Sequence, residues 1–223
     1  MLPWIHLDSA EVPGGDELRL MQRGTEFVIM AGRIPLMNSR MSGSEEKLAT
    51  LSWERIAGRA RPSMLIGGLG MGFTLRAALA VLPADATITV AELVPQIVTW
   101  ASGPLAPLFA GCLDDPRVTI ETGDVGKLIG TFKAAYDAIL LDVDNGPDGL
   151  SRPGNDRLYS PTGLAAARAA LRPKGVLAIW ASEPDEKFTR RLQTSGFAVD
   201  VLTVRERSNG KGARHTIWMG TRI

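Results

Sequence analysis

Apolar positions fall into two textures that meet near residue 50. Before it, short extended runs at 17–22 (ELRLMQ) and 26–30 (EFVIM) are separated by Arg23-Gly24, and Ala31-Gly32 leads into a third run at 33–37 (RIPLM). Short runs punctuated by glycine predict a small β-meander. Helical spacing then covers 44–60. Beyond it, apolar runs at 63–67, 87–91, 117–121, 136–141 and 176–180 alternate with helical patterns. Strand and helix repeating in series predict a parallel sheet with helices on both faces. The rhythm breaks at the end: 197–205 and 214–220 read as strands, and the segment between them is too short for a crossover helix, so they must pair as an antiparallel hairpin. The expected class is α/β, a mostly parallel seven-stranded sheet closed by that hairpin. Residues 1–50 form a small N-terminal β-element and 51–223 the larger domain.

The segment Gly67-Gly-Leu-Gly-Met-Gly72 follows the first core strand and precedes a good helix beginning at Phe73. Backbone without Cβ turns sharply and lets a ligand approach, while the new helix points its first amides at the same place. Spacing separates the ligand classes. A P-loop needs lysine after its last glycine, where Phe73 stands. A dinucleotide fingerprint starting at Gly68 would put its third glycine at Phe73, against close helix packing. Gly68-x-Gly70-x-Gly72 is the tighter turn of S-adenosyl-binding proteins, and Gly67, Gly68, Gly70 and Gly72 are its candidate cofactor contacts. Glu92 ends the second core strand, where an acid accepts bonds from ribose hydroxyls or caps the next helix. Asp124, just beyond the third strand, is placed to accept from an adenine amino group or to cap its own helix.

The fourth core strand ends in Leu141-Asp-Val-Asp-Asn-Gly-Pro-Asp148. Asp142 falls at the carboxyl edge beside the glycine turn, where open α/β sheets bind ligands. A carboxylate there can hold and deprotonate an amine nucleophile while it stabilises a sulfonium. Asp144 and Asn145 follow on a loop expected to overhang the site. Glu46, at a helix start, and Tyr159, before a later helix, are further substrate-binding candidates.

Composition narrows the partners. The 25 basic and 24 acidic side chains leave a net charge of +1, so no global field drives the chain onto nucleic acid or an anionic membrane. One cysteine, Cys112, and two histidines, His6 and His215, offer no metal cluster. The opening residues 1–8 lack a basic segment followed by an apolar one, and no apolar run approaches the length of a membrane span. A cytoplasmic protein without metal, nucleic-acid or membrane partner is expected.

A parallel βα series ending in a hairpin is the Rossmann-like layout of class I S-adenosylmethionine-dependent methyltransferases, and four stretches narrow the likeness further. Gly67–Gly72, Asp115-Pro-Arg-Val118 with Gly123-Asp124, Tyr136-Asp137 through Asp142, and Leu158-Tyr159 through Leu171-Arg-Pro-Lys-Gly-Val176 resemble the spermidine synthase family. The resemblance implies a homodimer that moves an aminopropyl group from decarboxylated S-adenosylmethionine to a small-molecule amine. It implies Glu92 as the ribose acid, Asp124 as the adenine contact and Asp142 as the catalytic base. Departures fall in the same places. The turn's family aspartate is matched by Gly70, the second aspartate of D-x-x-D by Asn145, a glutamine by Pro35, and a tyrosine-histidine pair by Ser44-Glu45. Methyl transfer from S-adenosylmethionine, and nucleoside binding without catalysis, stay open as alternatives.

Overall fold

A computed structural model describes residues 2–143, 156–207 and 209–223. The N-terminal sheet pairs β1 (Ile5–Ala10), β2 (Leu18–Arg23), β3 (Glu26–Ala31) and β4 (Ile34–Asn38) antiparallel in chain order. The first of these strands has no counterpart in the sequence reading. Its residues go from exposed to buried along the strand instead of alternating, so the period-2 signal is missing. The helix α1 (Gly43–Ile56) stops short of the expected end at residue 60, because Ala57 turns extended and Gly58 takes φ +88°.

The larger unit alternates β5 (Ser63–Gly67), α2 (Phe73–Val81), β6 (Thr87–Glu92), α3 (Pro95–Ser102), α4 (Ala106–Phe109), β7 (Val118–Thr122), α5 (Val125–Thr131) and β8 (Tyr136–Leu141). It continues through α6 (Asp156–Tyr159), α7 (Pro161–Ala170), β9 (Leu171–Ala181), α8 (Glu186–Thr194), β10 (Phe197–Arg205) and β11 (Arg214–Arg222). The seven-stranded order is β10-β11-β9-β8-β5-β6-β7. Pairs among β5 to β9 are parallel, and β11 runs antiparallel to both β9 and β10. The strand β9 begins earlier than expected, and its register against β8 slips between Tyr136 and Ala138, beside the left-handed Lys174. All six residues of β8 are buried, as a central parallel strand covered on both faces requires.

Two cores flank this sheet. One gathers Leu48, Ile56, Met64, Ile66, Leu75, Trp100 and Ile217 with Leu20 and Ile29 of the N-terminal sheet. The other gathers Leu65, Leu141, Leu164, Ile179, Phe188 and Trp218. Each fully buried side chain of this size contributes roughly 1.5–3 kcal/mol. The N-terminal sheet is tied down by Asp8, whose Oδ2 accepts from Trp100 Nε1 at 2.8 Å and Gln96 Nε2 at 2.6 Å. Strand order reverses between β5 and β8, and the crevice at their carboxyl ends is the switch point where such sheets take ligands. Among the described residues, no helix is long and apolar enough to cross a membrane.

Candidate active site

The glycine turn sits in that crevice. Gly68 N–H donates to Ala91 O at 2.9 Å and Asp142 N–H to Gly67 O at 3.0 Å, which stitches the ends of three strands together. Gly68 and Gly72 adopt φ +88° and +77°. A Cβ on Gly68 would lie 2.5 Å from the Asp142 carbonyl oxygen, and one on Gly72 2.5 Å from the Phe109 ring. Both backbone conformation and space therefore exclude a side chain. Leu69 and Phe73 turn into the core, so neither covers the turn.

Three acids ring it. Glu92 is buried, and its carboxylate accepts from Leu69 N–H and Val94 N–H, each at 2.8 Å. It joins the glycine turn to the start of α3. Burial raises its pKa, while the surrounding amides pull the other way. Asp124 caps α5 by accepting from Gly126 N–H at 2.7 Å through Oδ1. The cap leaves Oδ2 without a hydrogen bond among the described residues. Asp142 follows the last residue of β8, and its Oδ2 accepts from Thr74 Oγ1 at 2.7 Å. Burial raises the Asp142 pKa to about 6, against the lowering effect of Thr74. Glu45, in the first turn of α1, accepts from Ser44 Oγ at 2.5 Å. Burial first, and then repulsion from Asp142, pushes Glu45 up to about 7. The two carboxylates thus compete for a proton near neutrality, so neither titrates alone.

The remaining candidates divide. Glu46 accepts from Ser42 Oγ at 2.8 Å at the start of α1. Tyr159 is 2% exposed and packs edge-on against Phe188, with ring centroids 5.7 Å apart, so packing accounts for its position. Asp144 and Asn145 lie outside the described residues. Sequence reasoning missed two groups. Thr74, near the start of the helix after the glycines, could have been noticed as a hydroxyl facing the turn. Met37 reaches the turn from β4, where its Sδ accepts from Met71 N–H at 3.1 Å across 34 positions, and no local pattern marks it. The stretch around Asp115 holds structure: Asp115 pairs with Arg117 at 2.8 Å, which holds its pKa down to about 2, and Arg117 also donates to Leu82 O.

No family model matches the chain. A polyamine aminopropyltransferase of Corynebacterium efficiens is 34% identical over 139 residues, covering 60% of this chain and 25% of that protein. Putrescine N-methyltransferase 1 of Nicotiana tabacum is 36% identical over 115 residues, or 51% of this chain and 28% of that one. A spermidine synthase crystallised with the transition-state analogue AdoDATO superposes with a TM-score of 0.78 at 18% identity, over 98% of this chain and 74% of that one. The chain is thus similar in sequence to polyamine aminopropyltransferases and in fold to a spermidine synthase. It spans about a quarter of the length of the curated aminopropyltransferases that it matches. The mostly parallel sheet, the closing hairpin and the small N-terminal sheet are the spermidine synthase arrangement.

Proposed function

We propose that this protein is a transferase that binds an S-adenosyl sulfonium nucleoside and moves the aminopropyl group of decarboxylated S-adenosylmethionine to a small amine such as a diamine. The observation that carries the reading is the position of Asp142: its backbone presses on Gly68 of the turn, and its carboxylate stands at the rim with a hydroxyl for a partner and no guanidinium or ammonium bonded to it among the described residues. In this reading Gly67, Gly68, Gly70 and Gly72 let the nucleoside lie against the backbone. Glu92 takes the ribose hydroxyls and the second oxygen of Asp124 the adenine amino group. Each carboxylate oxygen has a further lone pair beyond the amide that it already accepts. Asp144, Asn145 and Glu46 serve the amine's cationic remainder, and Tyr159 supports that wall from the core.

The chemistry follows from charge. The amine lone pair attacks the carbon beside the sulfonium sulfur, the C–S bond breaks with its electrons going to sulfur, and neutral methylthioadenosine leaves. The proton shed by the new secondary amine goes to Asp142. A carboxylate raised towards neutral pH is a stronger base than a solvated one, and Thr74 fixes the direction of its Oδ2. We place the enzyme in the cytoplasm as a homodimer, built of an N-terminal β-element to about residue 50 and an S-adenosyl-binding domain.

One observation favours a second reading, methyl transfer from S-adenosylmethionine: Gly70 puts no carboxylate on the turn, so position 70 does not repel the cofactor's own. Thermal unfolding with decarboxylated S-adenosylmethionine, S-adenosylmethionine, methylthioadenosine and NAD, followed by mass spectrometry of a putrescine reaction, tests both. A ligand at a hundred times its Kd stabilises by about 2.7 kcal/mol. Stabilisation by the decarboxylated compound with spermidine as product is the expected result. Methylputrescine would promote the second reading, and stabilisation by NAD alone would overturn the nucleoside assignment.

A further inference from the structure

The half-buried Met37 stands where a side chain at position 70 would be. An added Cβ on Gly70 would lie 2.7 Å from Met37 Cε and 2.9 Å from its Sδ. The same sulfur holds the Met71 amide at 3.1 Å. Gly70 itself has φ +49°, so glycine and thioether form one fitted contact between the N-terminal sheet and the switch-point crevice. Thioether sulfur is a weak acceptor, and methionine, with three rotatable bonds, repacks readily. A bond of this kind holds the side chain over the turn and yields to a bound ligand.

We propose that Met37 is a specificity-determining residue that reads the sulfur-side arm of the bound nucleoside, with its thioether covering the glycine turn until an arm displaces it from the Met71 amide. The inference rests on the nucleoside seating at this turn, as proposed above. An adenosine bearing only S-methyl leaves the thioether in place. A nucleoside with a three-carbon or longer arm on sulfur must move it. Met37 then packs along the arm's methylene groups and supplies a polarisable, uncharged wall beside the sulfonium. Recognition of the arm at this point is by length and apolar contact and not by ion pairing.

Calorimetric titration of wild type and Met37→Ala with methylthioadenosine and with decarboxylated S-adenosylmethionine tests this. The expected result is that the affinity for the armed compound changes at least fivefold in the variant while that for methylthioadenosine stays within twofold. Equal affinities in both proteins, or the same change for both ligands, would overturn the role of Met37 and leave the nucleoside reading standing. No binding of either ligand to wild type would overturn that reading and the inference with it. If Met37→Ala fails to fold, the ε-methyl resonance of Met37 in wild type decides: it should shift with the armed compound and stay within its linewidth with methylthioadenosine. A resonance that moves equally with both rejects the proposal.

Discussion

The two ends of β8 hold their aspartates in opposite ways. At the amino end, Asp137 is 1% exposed and fully engaged: Arg59 at 2.6 Å, Arg172 at 2.7 Å and the Ser63 amide at 2.8 Å all donate to it. At the carboxyl end, Asp142 has Thr74 and a neighbouring acid, Glu45. Both acids terminate the same apolar strand, so burial alone does not decide their roles. The partners do. Paired with two guanidinium groups, a buried carboxylate locks the β8–β9 end and the chain leading into β5. Left with a hydroxyl and a second carboxylate, it keeps an affinity for protons, as a base requires.

The largest effect that would sharpen this contrast is chemical. Asp142→Asn should lower kcat by about 10²–10⁴, the range that a lost general base costs, while nucleoside-induced stabilisation persists. Steady-state kinetics and thermal unfolding on the same preparation check it. Undiminished turnover would place the base elsewhere.

Asp137→Ala should do the reverse. Removing one partner of a buried ion pair costs about 3–5 kcal/mol, and the partly exposed Arg59 and Arg172 regain some hydration, so about 2–3 kcal/mol is expected. A fall in Tm of roughly 5–10 °C, with nucleoside affinity unchanged, would mark Asp137 as structural. If affinity fell instead, the division between the two ends would fail.

Between the two lies the turn itself. Gly68→Ala places a Cβ against the Asp142 carbonyl and forces an L-residue to φ +88°, so it should disturb both the turn and the proposed base. Gly14→Ala meets the same backbone strain at φ +73° in open space. The left-handed strain is about 1–2 kcal/mol in each case. The excess loss of nucleoside affinity in Gly68→Ala over Gly14→Ala measures what close approach to Asp142 contributes.

These positions also mark how far the sequence could be read. The continuous apolar run of β8, the glycines after β5 and the acid following Leu141 are local signals, and each predicts a strand, a turn or a rim residue without reference to the rest of the chain. The hairpin was legible for the same reason. The Thr74 hydroxyl on Asp142, the Glu45 carboxylate beside it and the Met37 sulfur on Met71 arise only when separate elements meet. Asp137 shows the converse: its stretch carried the family likeness, yet the side chain closes the sheet's amino end, away from the crevice.

The smallest expected effect concerns the pair that makes Asp142 unusual. Glu45 is raised from the ordinary glutamate range to about 7, so between pH 4.5 and 7 the folded protein binds more protons than the unfolded chain. Stability must then fall as pH rises through that window, since ionisation is resisted only in the folded state. Asp142, raised to about 6, adds to the same slope. Glu45→Gln removes one member of the pair and its share of that slope. The variant should therefore gain in Tm relative to wild type as pH rises from 5 to 8, with little difference at the acid end. The acid limb of kcat should hold its place, because burial and not Glu45 is what raises Asp142. Parallel melting curves and a pH–rate profile check both outcomes. A Tm difference independent of pH would mean that Glu45 acts by packing, and the two carboxylates would then titrate as strangers.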